Sequence, residues 1–409
     1  MSADQHVVIV GAGHAGGSAA AALRQGGWEG RITLIGDEPE LPYQRPPLSK
    51  GWLKGEESAE SLALRSAKFY DEHSIEVRLS CAVEALDPAA LTVRLADGAV
   101  LGFDYLILAT GSRNRPLPVE GTDLAGVMEL RSSAHADALQ PALTPGKRLA
   151  VIGGGFIGLE VAASARKLGV EATVIEREPR LLSRVVCPEV SAYFSKRHQE
   201  EGVELLTDVA VTGLQGRDGR VTGVQLADGR VISCDIALVG IGAVPNQELA
   251  AAAGITCTNG IVVDETARTS HPRVFAIGDC ANRPMPLYNL NMRLESVPNA
   301  LEQAKQAAWA ICGKAPPPPE VPWFWSDQFD MRLQIAGIPA GAVQTIVRGD
   351  PADGKFAVFH LNTDGRVLCV EAVSFPQAMA VGKMMIGKRL HVPVERLGDE
   401  SVPLKELVR

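Results

Sequence analysis

The chain has no Cys-x-x-Cys pair, and no cysteine at all before Cys81. Its seven cysteines (Cys81, Cys187, Cys234, Cys257, Cys280, Cys312 and Cys369) are scattered and odd in number. That excludes a disulfide framework and argues against zinc or iron–sulfur ligation, so no metal site is expected. The sequence reads all seven as buried thiols in a reducing cytoplasm. There is no excess of positive charge: 40 Lys and Arg stand against 48 Asp and Glu, a net charge of −8. Nucleic acid is therefore not an expected partner. Long apolar runs are missing too. Glycine breaks every stretch, so no membrane span is expected. "MSADQHVVIV" enters an apolar strand directly, without the basic and apolar regions of a secretory leader.

At 409 residues, with 46 % hydrophobic and 22 % charged residues, the chain is ordinary globular protein. Its length allows two to four domains at roughly 100–200 residues each. An internal repeat organises it. "VVIVGAGHAGGSAAAAL" (7–23) is similar to "LAVIGGGFIGLEVAASA" (149–165), and "LADGAVLGFDYLILATG" (95–111) to "LADGRVISCDIALVGIG" (226–242). Each copy reads as strand, glycine turn and helix, and later as strand, Asp-Gly turn, strand and a buried strand closing on glycine. The Asp-Gly steps read as two-residue hairpin turns with positive φ at both central positions. "VFAIGDCA" (274–281) is one further buried strand, best explained as returning to the first copy. A helix is expected over 299–312. The stretch "APPPPEVPW" (315–323) reads as a semi-rigid polyproline linker. Beyond it four alternating segments, "RLQIAG", "VQTIVRG", "KFAVFHL" and "RVLCVEAV", predict a small antiparallel sheet, with helix cover near 378–389.

The fold class is therefore α/β, with two Rossmann-like dinucleotide-binding domains, one inserted in the other, and a small C-terminal α+β domain. The boundaries are read as 1–113 and 246–320 for the first domain, 114–245 for the second, which is inserted in it, and 321–409 for the third.

"GAGHAG" places Gly11, Gly13 and Gly16 after a strand and before a helix. The first glycine makes the turn, the second admits a pyrophosphate and the third allows close helix–strand packing. Asp37 follows the next strand, placed to accept a ribose hydroxyl. "GGGFIG" repeats the pattern with Gly153, Gly155 and Gly158, and Glu176 ends its following strand. A carboxylate there repels a 2′-phosphate, so NAD is expected over NADP, although Arg177 and Arg184 stand nearby. Two dinucleotide sites imply two dinucleotides, one held and one exchanged. FAD with NADH is the natural pair, because a flavin takes a hydride and releases single electrons.

The motifs "GAGHAGG", "PYQRPPLSK", "LILATGS", "GGGFIGLE", "FAIGDC", "ESVPNALEQA" and "PWFWSDQ" span essentially the whole chain. Together they resemble the FAD-dependent pyridine-nucleotide oxidoreductases of the glutathione-reductase fold. Within them the similarity is greatest to the NADH-dependent ferredoxin reductases that serve oxygenases, and apoptosis-inducing factor is more distant. The resemblance implies non-covalent FAD contacts at Ala15, Arg45, Lys50, Val83, Thr110, Gly111, Arg131, Asp279 and Val297. It implies NAD contacts at Phe156, Ile157, Glu160, Arg184 and Gly242. Catalytic roles fall to Lys50 near the flavin's N5 edge, Glu160 near the nicotinamide ribose, and Trp325 beside the isoalloxazine. Lys50 and Glu160 are expected to be paired, since either alone is costly to bury.

The same resemblance implies that hydride passes from NADH to FAD and that electrons leave singly to a 2Fe–2S ferredoxin serving a haem monooxygenase or a dioxygenase. Related disulfide reductases carry a Cys-x-x-x-x-Cys pair where this chain has "RPPLSK" (45–50). Arg65, Lys383, Lys388 and Arg389 are candidate docking residues. The chain lacks the His-Pro segment that disulfide-reductase dimers exchange, which favours a monomer. Two other functions stay open: NADH-dependent reduction of another acceptor (rubredoxin, oxygen or a quinone), and a regulatory NADH-binding flavoprotein.

Overall fold

The structure is a computed structural model and describes residues 4–315 and 317–408; Pro316 of the polyproline stretch lies outside the described residues. The chain forms two compact units. One comprises the segment up to Gln44, Ala59–Arg113 and Val244–Glu320; the other comprises Arg45–Ser58, Asn114–Ala243 and the chain from Val321 onward.

The first unit is built on a five-stranded parallel sheet. Its order is Val274–Ala276, Tyr105–Leu108, His6–Val10, Arg31–Ile35, Ile75–Arg78. The central strands read as continuous Val, Ile and Leu because both faces are covered. His6–Val10 is buried throughout. The helices His14–Gln25 and Val297–Ile311 share one apolar cluster rich in alanine, including Ala19, Ala22, Ala304 and Ala308. Methyl-sized side chains let the two helices and the sheet approach closely.

The second unit repeats the plan. Its parallel sheet runs Glu204–Leu206, Glu171–Ile175, Arg148–Ile152, Ile236–Val239, Val127–Met128, beside the helix Phe156–Lys167. The same unit holds a five-stranded antiparallel sheet. Its order is Trp323–Gln328, Met331–Gly337, Val367–Val373, Lys355–Leu361, Gln344–Asp350, and the helix Pro376–Gly387 covers it. Gly382 permits that cover: a Cβ there would stand 2.4 Å from the Val370 side chain.

Two sequence expectations need correction. The Asp-Gly turns are three-residue loops, not two-residue ones. Leu95 N–H bonds Ala99 O and Leu226 N–H bonds Arg230 O. Only the glycines, Gly98 at φ +86 and Gly229 at φ +87, enter the left-handed region. That is a type I turn closed by a glycine bulge. The antiparallel sheet also has a fifth strand that alternation did not reveal, Trp323–Gln328. Its inward residues include Ser326 and Gln328, both fully buried, so the polar side chains are the hidden ones. Among the described residues, no helix is long and apolar enough to cross a membrane.

Candidate functional site

Each unit carries one glycine cradle. Gly11 has φ +109, and a Cβ on it would lie 2.1 Å from Ala109 O; one on Gly16 would lie 1.9 Å from Gly11 O. Between them Gly13 is the N-cap of His14–Gln25, with no side chain capping it. Ala15 is buried beneath, and its methyl lies 2.9 Å from where a Cβ on Gly278 would stand. In the second unit Gly153 has φ +111 and would clash with Gly240 O at 2.4 Å, while Gly158 would clash with Gly153 O at 2.5 Å. Gly155 differs: a Cβ there would meet nothing within 4 Å. It caps the helix Phe156–Lys167, again with no side-chain cap. Two glycines close the backbone, and the third faces open space at uncapped N–H groups. That geometry fits a pyrophosphate.

The acids after the second strands are not at equivalent positions. Glu176 directly follows Glu171–Ile175, and its carboxylate accepts the Gly154 N–H at 2.6 Å and the Glu178 N–H at 2.8 Å. In the first unit that slot is Gly36, where a Cβ would lie 2.5 Å from the Ala12 methyl. Ala12 takes the place of Gly154, so the carboxylate moves one residue on, to the exposed Asp37. Arg177 is drawn onto Glu178 at 3.1 Å, and Arg184 is exposed, 3.9 Å from where a Cβ on Gly242 would stand. Gly242 itself has φ +110.

The other positions proposed for FAD in the first unit fall on loop and strand ends. Val83 opens the strand Val83–Asp87. Thr110 donates to Asn246 O at 2.6 Å, and Gly111 has φ +67. Asp279 lies within the short turn Gly278–Cys280 and accepts from Ser112 at 3.1 Å. It is not the cap of a longer helix. Val297 is the first residue of a 15-residue helix whose N-cap, Ser296, accepts the Asn299 N–H.

In the second unit "RPPLSK" forms the one-turn 3₁₀ helix Pro46–Ser49, with prolines in its first turn where no N–H is needed. Arg45 donates to Arg131 O at 2.7 Å. Lys50 Nζ stands 2.7 Å from Glu160 Oε2. Glu160 is 3 % exposed, and two hydroxyls complete it: Ser49 donates to Oε2, and Ser326 to Oε1 at 2.6 Å. Three donors converge on this buried carboxylate and hold it in place. Phe156 packs on Phe324 at 4.6 Å between centroids, and Ile157 is 46 % exposed. Trp325 is half-buried and 5.4 Å from Trp323. Lys383 lies over the Trp323 ring, whereas Lys388, Arg389 and, in the first unit, Arg65 are exposed.

Sequence reasoning missed Ser49, Ser326, Gln328 and His198. No local signal marked them: in "WFWSDQ" Ser326, Asp327 and Gln328 are polar in succession, without an alternation to show which are hidden. His198 is fully buried, its Nε2 2.8 Å from Gln328 Oε1. Burial pushes its imidazole from the ordinary 6.5 down to about 4, with the Gln328 bond opposing the shift and nearby Arg197 adding to it. The folded chain therefore binds no proton there while the unfolded chain does, and stability falls as pH drops from 6.5 towards 4. Between neutral pH and pH 5 this group alone costs about 2 kcal/mol, at ~1.4 kcal/mol per unit. Urea midpoints at pH 7 and pH 5 check it: His198→Gln should lose less stability on acidification than the parent, and equal losses would contradict the assignment.

The thiol expectation also needs correction. Five cysteines are buried, but Cys81 and Cys257 are half-buried. Among the described residues one His, Cys and carboxylate trio comes together: Cys187, His360 and Glu371. Its carboxylate already accepts the Cys187 N–H and stands 2.9 Å from His360 Nε2. Burial, then Glu371, pushes the Cys187 thiol well above its ordinary value.

Comparison with known proteins agrees with this architecture. The family described as pyridine nucleotide-disulphide oxidoreductase matches residues 5–304, and the reductase C-terminal family matches residues 323–408. The probable ferredoxin reductase CtmF of Castellaniella defragrans is 52 % identical over 408 residues, covering 100 % of both chains. Putidaredoxin reductase CamA of Pseudomonas putida is 44 % identical, covering 100 % of this chain and 98 % of its own. Among solved structures, that of the covalent putidaredoxin reductase–putidaredoxin complex superposes with a TM-score of 0.97 at 44 % identity, covering 100 % of this chain and 99 % of the other. The match runs along essentially the full length of these reductases, and the chain belongs to the pyridine nucleotide-disulphide oxidoreductase family.

Proposed function

We propose that this chain is an FAD-dependent NADH:ferredoxin reductase that feeds a 2Fe–2S ferredoxin serving a haem monooxygenase or a dioxygenase. The similarity to a putidaredoxin reductase, and to a structure in which such a reductase is joined to putidaredoxin, supports a ferredoxin as the acceptor. FAD, when bound, accepts a hydride from NADH and releases electrons one at a time.

The protein's own residues do the rest. The first cradle, Gly11, Gly13, Ala15 and Gly16, holds the FAD pyrophosphate. Asp37, Val83, Thr110, Gly111, Asp279 and Val297 hold its remainder, with Arg45 and Arg131. The second cradle, Gly153, Gly155 and Gly158, with Phe156, Ile157 and Gly242, holds NADH. Glu176 is pinned by two backbone N–H groups and takes the ribose, and with Arg177 engaged by Glu178 a 2′-phosphate is disfavoured. Lys50, fixed by Glu160, would supply positive charge to the bound cofactor, and Trp325 would flank it.

One observation carries the reading. The loop where related enzymes keep a dithiol has no thiol here; it holds a lysine salt-bridged to a buried glutamate. Without a thiol relay, bound FAD would supply its electrons directly to an outside protein. The lack of a His-Pro segment of the kind disulfide-reductase dimers exchange supports action as a monomer. The free cysteines fit a reducing compartment, in keeping with a cytoplasmic enzyme. Lys388 and Arg389, with Arg65 and Lys383, are the proposed contacts for an acidic ferredoxin. Steady-state assays with NADH and a panel of 2Fe–2S ferredoxins test this reading. Turnover with at least one, and slower turnover with NADPH, is expected; turnover with rubredoxin, quinone or oxygen alone would contradict it.

A further inference from the structure

Glu160 is the end point of a chain of donors whose direction can be derived link by link. An ionised carboxylate only accepts. Ser326 Oγ, 2.6 Å from Glu160 Oε1, must therefore donate. Its lone pairs are then free for Gln328 Nε2, which donates at 3.1 Å. Gln328 Oε1 is left as the acceptor facing His198 Nε2 at 2.8 Å. The proton of neutral His198 thus sits on Nε2, and Nδ1 carries a lone pair. That nitrogen is buried without a hydrogen-bond partner, which an acceptor tolerates better than a donor. On the other oxygen, Ser49 donates to Oε2 beside Lys50, and Ser164 holds the Ser49 carbonyl at 2.8 Å.

The placement of these groups is costly unless it serves the carboxylate. Ser326 and Gln328 are 0 % and 1 % exposed on the inward face of Trp323–Gln328. A valine or leucine in either position would cover the same face without the cost of burying polar groups. Every proton instead points along one path that ends on Glu160 Oε1. The neighbouring residue on the strand is Trp325, so one strand sets both the aromatic and the carboxylate.

We propose that Ser326 and Gln328 are positioning residues for the Lys50–Glu160 pair. By pinning Oε1 they present Oε2 to the ammonium, and the His198 ring locks the Gln328 amide in the orientation this needs. The assignment rests on the reductase function given above, in which Lys50 supplies positive charge to the reacting ring.

The test uses full-length, FAD-loaded protein: the parent, Ser326→Ala, Gln328→Met, Lys50→Met and the Lys50→Met/Ser326→Ala double variant. NADH affinity, the limiting rate of flavin reduction and the flavin midpoint potential are measured for each. Ser326→Ala should lower the limiting rate about tenfold with NADH affinity unchanged, less than the roughly 100-fold that a full 1 Å misplacement can cost, because Lys50 still holds Oε2. Its midpoint potential should become more negative, since a poorly held cation stabilises the reduced cofactor less. Gln328→Met, one link further away, should move both quantities in the same direction by less. In the Lys50→Met background, Ser326→Ala should have almost no further effect, since the two act as a unit.

Parent-like rate and potential in Ser326→Ala would overturn the proposal. So would an undiminished effect of Ser326→Ala in the Lys50→Met background, which would make the serine structural. If Ser326→Ala does not retain FAD, Gln328→Met decides by the same criteria. A parent that NADH does not reduce would overturn the function itself, and so stays distinguishable from failure of the positioning role.

Discussion

Replacing Lys50 by methionine should slow reduction of the FAD-loaded protein by saturating NADH about 100-fold, the usual scale for deleting one preorganised charge-stabilising group. The stem keeps its length, so packing against the Pro46–Ser49 turn is retained and the loss is that of the ammonium. Its partner does not unfold the site, because Glu160 keeps the Ser49 and Ser326 hydroxyls. Glu160 is nevertheless left as a buried carboxylate without a cation, which costs stability. A lower melting temperature with normal FAD content is therefore expected. Rapid mixing under anaerobic conditions reads the rate directly. A rate within about twofold of the parent's, well short of that 100-fold loss, would reduce the pair to a salt bridge that only holds segments of the second unit together.

Gly155→Asp should separate folding from cofactor binding in opposite directions. Gly155 is an N-cap in extended backbone at φ −84, which any residue adopts, and its Cβ would enter open space. Aspartate is among the best N-caps, so the helix Phe156–Lys167 should be as stable as in the parent or slightly more so. The same carboxylate stands where the pyrophosphate of NADH would approach the uncapped N–H groups, and repels it. NADH affinity should fall at least ~100-fold, equivalent to about 2.7 kcal/mol, while chemical reduction of bound FAD by dithionite is unchanged. Gly153→Ala is the contrasting control. Its Cβ would stand 2.4 Å from Gly240 O at φ +111, so the unit's own backbone suffers and stability falls. NADH affinity and melting temperature, measured on both variants, check the pair of expectations. Unchanged NADH affinity in Gly155→Asp would mean the second cradle does not bind this cofactor.

What the sequence made legible followed from strong local constraints. The glycine turns were readable because two of three glycines in each motif are fixed by backbone clashes that any Cβ would meet. The buried parallel strands were readable because covered strands are uniformly apolar. The pairing of Lys50 with Glu160 was expected from the resemblance together with the cost of burying either charge alone, and the structure shows it. The rest depended on tertiary contacts. Ser326 and Gln328 reverse the usual alternation because their partners, Glu160 and His198, lie far away in sequence. Nothing in "WFWSDQ" itself announces that its serine and glutamine are the hidden face. The Asp-Gly turns erred by one residue because two- and three-residue hairpin loops share the same dipeptide. The offset between Asp37 and Glu176 follows from whether Ala12 or Gly154 sits opposite, a contact between two segments that neither motif states alone.

In the proposed reaction electrons enter in pairs from NADH and leave singly to an iron–sulfur protein. Anaerobic titration of the FAD-loaded enzyme and excess oxidised 2Fe–2S ferredoxin with NADH, following the cluster by its visible absorbance, measures that conversion. Each equivalent of NADH should reduce two equivalents of ferredoxin. An enzyme whose flavin is bleached by NADH while the ferredoxin stays oxidised would contradict the account.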